Sequence, residues 1–135
     1  MWPFCVEIYI EGCVYGGFNM DFNNTKGLKK DSDFRKVYKH GKSFANRYLV
    51  MYILDNKSDS SRIGISVSKK VGNAIIRNKI RRRIRESYRL NGDENVKDGF
   101  DIVFIARVAS KESEYKDIEK SIKYLMKKSG MQRNQ

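Results

Sequence analysis

The segment from Arg62 to Arg89, RIGISVSKKVGNAIIRNKIRRRIRESYR, constrains the fold more than any other part of this chain. Arg62 to Ser68 alternates strictly. Ile63, Ile65 and Val67 fall on one side and Gly64, Ser66 and Ser68 on the other, the period of a strand. The small residues leave that second side flat, so that something could lie across it. From about Asn73 to Arg89 the period changes. Ile76, Ile80 and Ile84 recur every four residues and Tyr88 extends them, the core stripe of a helix. Gly72 and Asn73 permit the tight turn between the two elements. A strand running directly into a long helix points to a βαβ unit in one small sheet.

The same segment holds the charge. Between Lys69 and Arg89 stand nine Lys or Arg and one acid, Glu86, which accounts for two thirds of the net +12 of the whole chain. On the helical projection Arg77, Asn78, Arg81, Arg82, Arg85 and Arg89 are expected opposite the isoleucine stripe, flanked by Lys79 and Arg83. Backbone N–H groups at the helix start add a preference for anions. A basic face of this kind suits solvent, an anionic membrane or a nucleic acid. Nucleic acid fits best, because solubility rarely demands so many arginines and the planar guanidinium fork holds phosphate oxygens in pairs. Charge alone does not separate DNA from RNA.

The remaining elements follow from the same reasoning. At 135 residues the chain is one domain by length. Asp31 or Ser32 can cap a short helix, Asp33 to Lys39, with Phe34, Val37 and Tyr38 on one face and Gly41 as its stop. The apolar run Tyr48 to Leu54 suits a strand buried on both sides. A polar turn spans Asp55 to Ser61, and Phe100 to Ala106 forms another strand. Ser110 to Ser113 opens a last helix with Tyr115, Ile118, Ile122, Leu125 and Met126 on one side and Gly130 near its end. Its acidic run, Glu112, Glu114, Asp117 and Glu119, is interleaved with Lys at spacings that suit i,i+3 and i,i+4 pairs, as on a solvated face. Phe34, Tyr38 and Tyr52, near the small Ser66, could stack unpaired bases, though each ring could equally be core.

Several functions find no support in the residues. No Ser/His/Asp, Cys/His or metal-ligand cluster is visible, and His40 is the sole histidine, so side-chain catalysis is not expected. No apolar run approaches the roughly 18–20 residues that cross a bilayer, and the chain is expected to be soluble. Cys5 and Cys13 are expected as reduced thiols. Residues 1–19 contain Glu7 and Glu11 but no Lys or Arg. They read as an extension whose bland explanation is a true start at Met20, the alternative being an added strand from Val6 to Ile10.

The linker and helix together resemble the protein subunit of bacterial ribonuclease P. The family pattern R-x-G-x-S-V-S-K-K-x-G-N-A-x-x-R-N-x-x-[KR]-R-x-x-R is met by Arg62, Gly64, Ser66, Val67, Ser68, Lys69, Lys70, Gly72, Asn73, Ala74, Arg77, Asn78, Arg81, Arg82 and Arg85. The resemblance covers about Leu28 to Gly130 and leaves residues 1–19 without a counterpart, so the family domain is expected over 20–135. It implies an α+β fold: a small central mixed sheet of about four strands with helices packed on it, in the order α-β-β-β-α-β-α, with a left-handed crossover. It implies a cytoplasmic subunit of an endoribonuclease whose chemistry is carried by an RNA, with Mg2+ bound mainly by that RNA. The holoenzyme would remove the 5′ leader of precursor tRNA. The implied partners are the catalytic RNA and precursor tRNA, with no membrane and no obligate protein partner. Lys69, Lys70, Asn73, Arg77, Asn78, Arg81, Arg82 and Arg85 would meet RNA. Phe34, Tyr38, Tyr52 and Ser66 would line a cleft for the leader, with Lys70 at its edge. The rivals are a structural RNA-binding protein of ribosomal type and a DNA-binding domain with the arginine helix in a major groove.

Overall fold

Apolar residues that alternate, or run unbroken, build a central sheet with both faces covered. In the computed structural model, which describes Phe22 and residues 24–132, the order is β1 (Thr25–Gly27), α1 (Asp31–His40), β2 (Lys42–Ala45), β3 (Leu49–Asp55), β4 (Ser61–Ser66), α2 (Ala74–Asn91), β5 (Phe100–Ala106) and α3 (Tyr115–Lys128). The strands lie side by side as β1-β4-β5-β3-β2. β4 and β5 are parallel, with Arg62 opposite Asp101 and Ser66 opposite Ile105, and α2 is the crossover between them. β3 runs antiparallel to β5, and β2 antiparallel to β3. The fold is α+β with a mixed sheet. Cys5, Cys13, the strand expected over Val6 to Ile10 and all of residues 1–19 lie outside the described residues.

Five strands form where about four were expected. The addition is β1, three residues on the edge of β4 in parallel register. So short a segment carries no periodicity of its own, and its place depends on β4 lying beside it.

The two sheet faces carry separate cores. On one, Met51, Ile63, Ile65, Ile102 and Phe104 meet Ile80, Ile84 and Tyr88 of α2 and Ile118, Ile122, Leu125 and Met126 of α3. On the other, Val50, Tyr52, Val103 and Ile105 meet Leu28, Phe34 and Val37 from the α1 side. This double coverage explains the unbroken apolar run of β3.

The flat Gly/Ser face of β4 is therefore occupied within the chain itself. A Cβ on Gly64 would stand 2.4 Å from Cζ of Phe34. The glycine is there because a phenyl ring from α1 lies on it. Gly41 ends α1 for a similar reason: a Cβ would come within 2.5 Å of the Val37 carbonyl oxygen and 2.7 Å of that of Ile53.

Arg62 fastens α1 to the sheet. Its Nε and Nη2 donate to the two carboxylate oxygens of Asp101 at 2.8 and 2.7 Å, and Nη1 donates to Asp33 on α1 at 3.2 Å. The hydrogen bond to Asp101 leads the effects that raise the Arg62 pKa above its ordinary value. The first arginine of the family pattern is thus scaffold. Among the described residues no helix is long and apolar enough to cross a membrane.

Candidate nucleic-acid interface

The loop after β4 is held so that its lysines face outward. Val67 and Val71 are buried. The Val71 N–H donates to the Ser68 carbonyl at 3.1 Å and the Lys70 N–H to Ser68 Oγ at 3.2 Å. Lys69 and Lys70 are exposed on this turn. Asn73 then caps α2, its Oδ1 accepting from the Ile76 N–H at 3.0 Å, a contact that contributes about 1 kcal/mol in typical helices. No acid stands in the first turn, so the positive end of the helix is left for an external anion.

Along α2 the isoleucine stripe is as expected: Ile80, Ile84 and Tyr88 are buried and Ile76 half-buried. The arginines divide differently. Asn78, Arg82 and Arg89 are exposed opposite the stripe, and Lys79 is exposed beside them. Arg77 and Arg85 are half-buried, and Arg81 is only 1% exposed. Arg77, Arg81 and Arg85 each follow an isoleucine by one residue, a turn of about 100°, so they run along the border of the stripe rather than opposite it. That geometry corrects the expectation for these three side chains.

The border arginines make a dense cationic ridge. Arg81 Nη1 donates to Asn78 Oδ1 at 2.7 Å. Burial, and then the neighbouring Arg77 charge, push the Arg81 pKa below its usual range, though a guanidinium stays protonated. Nε and Nη1 of Arg77 are buried and have no hydrogen-bond acceptor among the described residues. Buried charged donors without acceptors are costly. A phosphate would supply charge and acceptors together. Two other basic groups of the helix are internally engaged: Arg83 Nη1 donates to the Ser113 carbonyl at 2.6 Å, and Arg89 pairs with Glu86. Arg82 and Lys79 make no ion pair among the described residues.

The aromatic residues expected to line a cleft do come together on the α1 face. The Tyr38 and Tyr52 ring centroids are 5.4 Å apart and edge-on, and Phe34 and Tyr38 are 6.4 Å apart. Three of the four cleft residues are closed to solvent, however: Phe34 and Ser66 at 0% and Tyr52 at 1%. Tyr38 alone of the four is half-exposed. The physical reason is the fit of the Phe34 ring onto Gly64, which fills the groove that the small residues leave. A base reaching this face meets Tyr38, with Phe34 and Tyr52 behind it.

Sequence reasoning missed a cleft of about 270 Å3 beside α1, lined by Lys36, His40, Leu54, Lys57, Arg62 and Asp101 among others. Its two most buried charges, Arg62 and Asp101, hold each other. No spacing in the sequence joins α1 to the turn after β3, so no signal could have found it.

Known proteins resemble this chain in sequence and in fold. A family model described as Ribonuclease P matches residues 22–130. The ribonuclease P protein component of Clostridioides difficile (strain 630) is 74% identical over 110 residues, which cover 82% of this chain and 96% of that protein. The structure of the Staphylococcus aureus RNase P protein aligns with a TM-score of 0.72 at 41% identity, covering 79% of this chain and 97% of the other. The RNase P protein from Thermotoga maritima aligns with a TM-score of 0.69 at 34% identity, covering 76% and 96%.

Proposed function

This chain belongs to the ribonuclease P protein family, and on that premise we propose that it docks on the catalytic RNA through the α2 arginine ridge and guides the 5′ leader of precursor tRNA past Tyr38. Members are the protein component of an endoribonuclease holoenzyme and partner ribonuclease P RNA. The observation that carries the assignment of the ridge is Arg77, whose buried donors lack an acceptor beside the exposed Arg82 and an acid-free helix start.

In this reading Arg77, Arg82 and Arg85 face phosphates of the catalytic RNA, Arg81 supports them by holding Asn78, and Lys69, Lys70 and Asn78 extend the same surface. Asn73 acts indirectly, by fixing the first turn of α2. The leader strand crosses the α1 face at Tyr38, with Lys70 at the edge contacting its phosphates. Phe34, Tyr52 and Ser66 shape that face from beneath. The hydrolysis of the leader phosphodiester belongs to the RNA, in the cytoplasm where tRNA matures. In this reading the Mg2+ that the reaction needs is held mainly by the RNA. The protein's share is binding and orientation, which lower the Mg2+ needed by offsetting phosphate repulsion.

Adding the full chain to a ribonuclease P RNA at low Mg2+ should restore release of the 5′ leader. Tight RNA binding with no gain in processing would instead mark a structural RNA-binding protein. Within the working complex, Tyr38→Ala should weaken binding of leader-bearing precursor by about 1–3 kcal/mol if a base stacks on the ring, and leave mature tRNA unaffected. Competition between the two RNAs for one protein sample measures this. Equal losses for both would place Tyr38 outside the leader path.

A further inference from the structure

The last helix, α3, separates its charges in a way its sequence conceals. Lys116, Lys120, Lys123 and Lys127 are all exposed. At about 100° per residue they fall within about 60° of arc, and at about 1.5 Å per residue they span about 16 Å. The i,i+3 and i,i+4 pairs expected with the interleaved acids do not form. Asp117 Oδ2 accepts from the Glu114 N–H at 2.9 Å and closes a capping box. Glu119 Oε2 accepts from Asn91 Nδ2 at 3.1 Å, across to the end of α2. Lys116 keeps a loose contact of 3.7 Å with the exposed Glu114. Lys120, Lys123 and Lys127 make no ion pair among the described residues. The helix commits its own two carboxylates to a cap and to α2, and leaves Lys120, Lys123 and Lys127 as a row of ammonium groups without a carboxylate of the helix beside them.

We propose that this lysine stripe is a second docking surface, for a double-helical stem of the catalytic RNA, separate from the arginine ridge. The inference rests on the RNA-bound role proposed above. Its position supports one RNA as partner. α2 and α3 pack on the same sheet face, opposite α1. Arg83 meets Ser113 and Asn91 meets Glu119, so the helices run in the same sense and α2 ends beside Glu119. Lys120, Lys123 and Lys127 therefore lie beyond the end of α2, away from the arginines near its start.

The chemistry selects a duplex backbone. Ammonium groups act as point charges without the planar fork of a guanidinium, and a straight row on a rigid helix matches a rod of phosphates. A membrane surface would need the apolar side of α3, but Ile118, Ile122, Leu125 and Met126 are each 0% exposed.

The test uses the full chain with Lys120→Gln, Lys123→Gln and Lys127→Gln combined, and equilibrium binding to the catalytic RNA at several salt concentrations. The slope of log affinity against log salt should fall by about 2–3, at about 0.7–0.9 per lost phosphate contact. Binding of a single-stranded leader oligonucleotide and the melting temperature should not change. A slope equal to that of the unaltered chain, beside a lowered slope in Arg82→Gln, would overturn the stripe and leave the arginine ridge standing. A slope loss seen with precursor tRNA alone and absent with the catalytic RNA would overturn the choice of partner. Failure of the unaltered chain to bind the catalytic RNA would remove both.

Discussion

Phe34→Ala is expected to cost the fold about 3–5 kcal/mol, the range for emptying a buried phenyl site. The ring is 0% exposed, sits among Leu28, Val37, Val50, Tyr52 and Val103, and covers Gly64. Removing it leaves a cavity over a residue with no side chain to fill it, so little relaxation is available. The same change also weakens the hold on α1, which is left to Val37, Tyr38 and the contact of Asp33 with Arg62. Urea unfolding should therefore show a large drop in midpoint. Any loss in RNA binding should be shared by leader-bearing and mature tRNA. A stable Phe34→Ala protein with a selective leader defect would mean that the ring stacks on a base, the role its sequence position suggested.

Replacing Arg77, Arg82 and Arg85 together by Gln should lower affinity for the catalytic RNA by at least about 3 kcal/mol, roughly 100-fold. Hydrogen bonds to charged groups contribute about 1.5–3 kcal/mol each, and three guanidiniums are removed. Arg81 is left in place because it is buried against the helix and holds Asn78. The folded state should not suffer, since Arg82 is exposed and the other two are only half-buried. Relief of the crowded Arg77–Arg81 pair works in the same direction. Filter binding at fixed salt, with a melting curve beside it, separates loss of docking from loss of fold.

Helices α2 and α3 and strand β5 were legible because their patterns are local. Ile80, Ile84 and Tyr88 repeat at helical spacing, Ile118, Ile122, Leu125 and Met126 do the same, and Phe100–Ala106 is apolar except for Asp101. What remained hidden depends on partners distant in sequence. β1 acquires its pairing from β4, Arg62 is explained by an aspartate 39 residues away, and the Phe34 ring is buried because Gly64 lies beneath it. The border position of Arg81 was within reach of the helical projection, since one step from Ile80 is about 100° and not half a turn. The acids of α3 misled for another reason. Asp117 and Glu119 have spacings that suit lysine, yet a capping N–H and an amide of α2 bind them instead.

The arginine ridge as the RNA dock is tested most directly by the salt dependence of the complex with catalytic RNA, compared between the unaltered chain and the Arg77/Arg82/Arg85→Gln protein. The slope of log affinity on log salt should be shallower by about 2–3 in the variant, the release expected from three phosphate contacts. Parallel lines for the two proteins would mean that these guanidiniums touch no phosphate, and the ridge would not be the surface that holds the RNA.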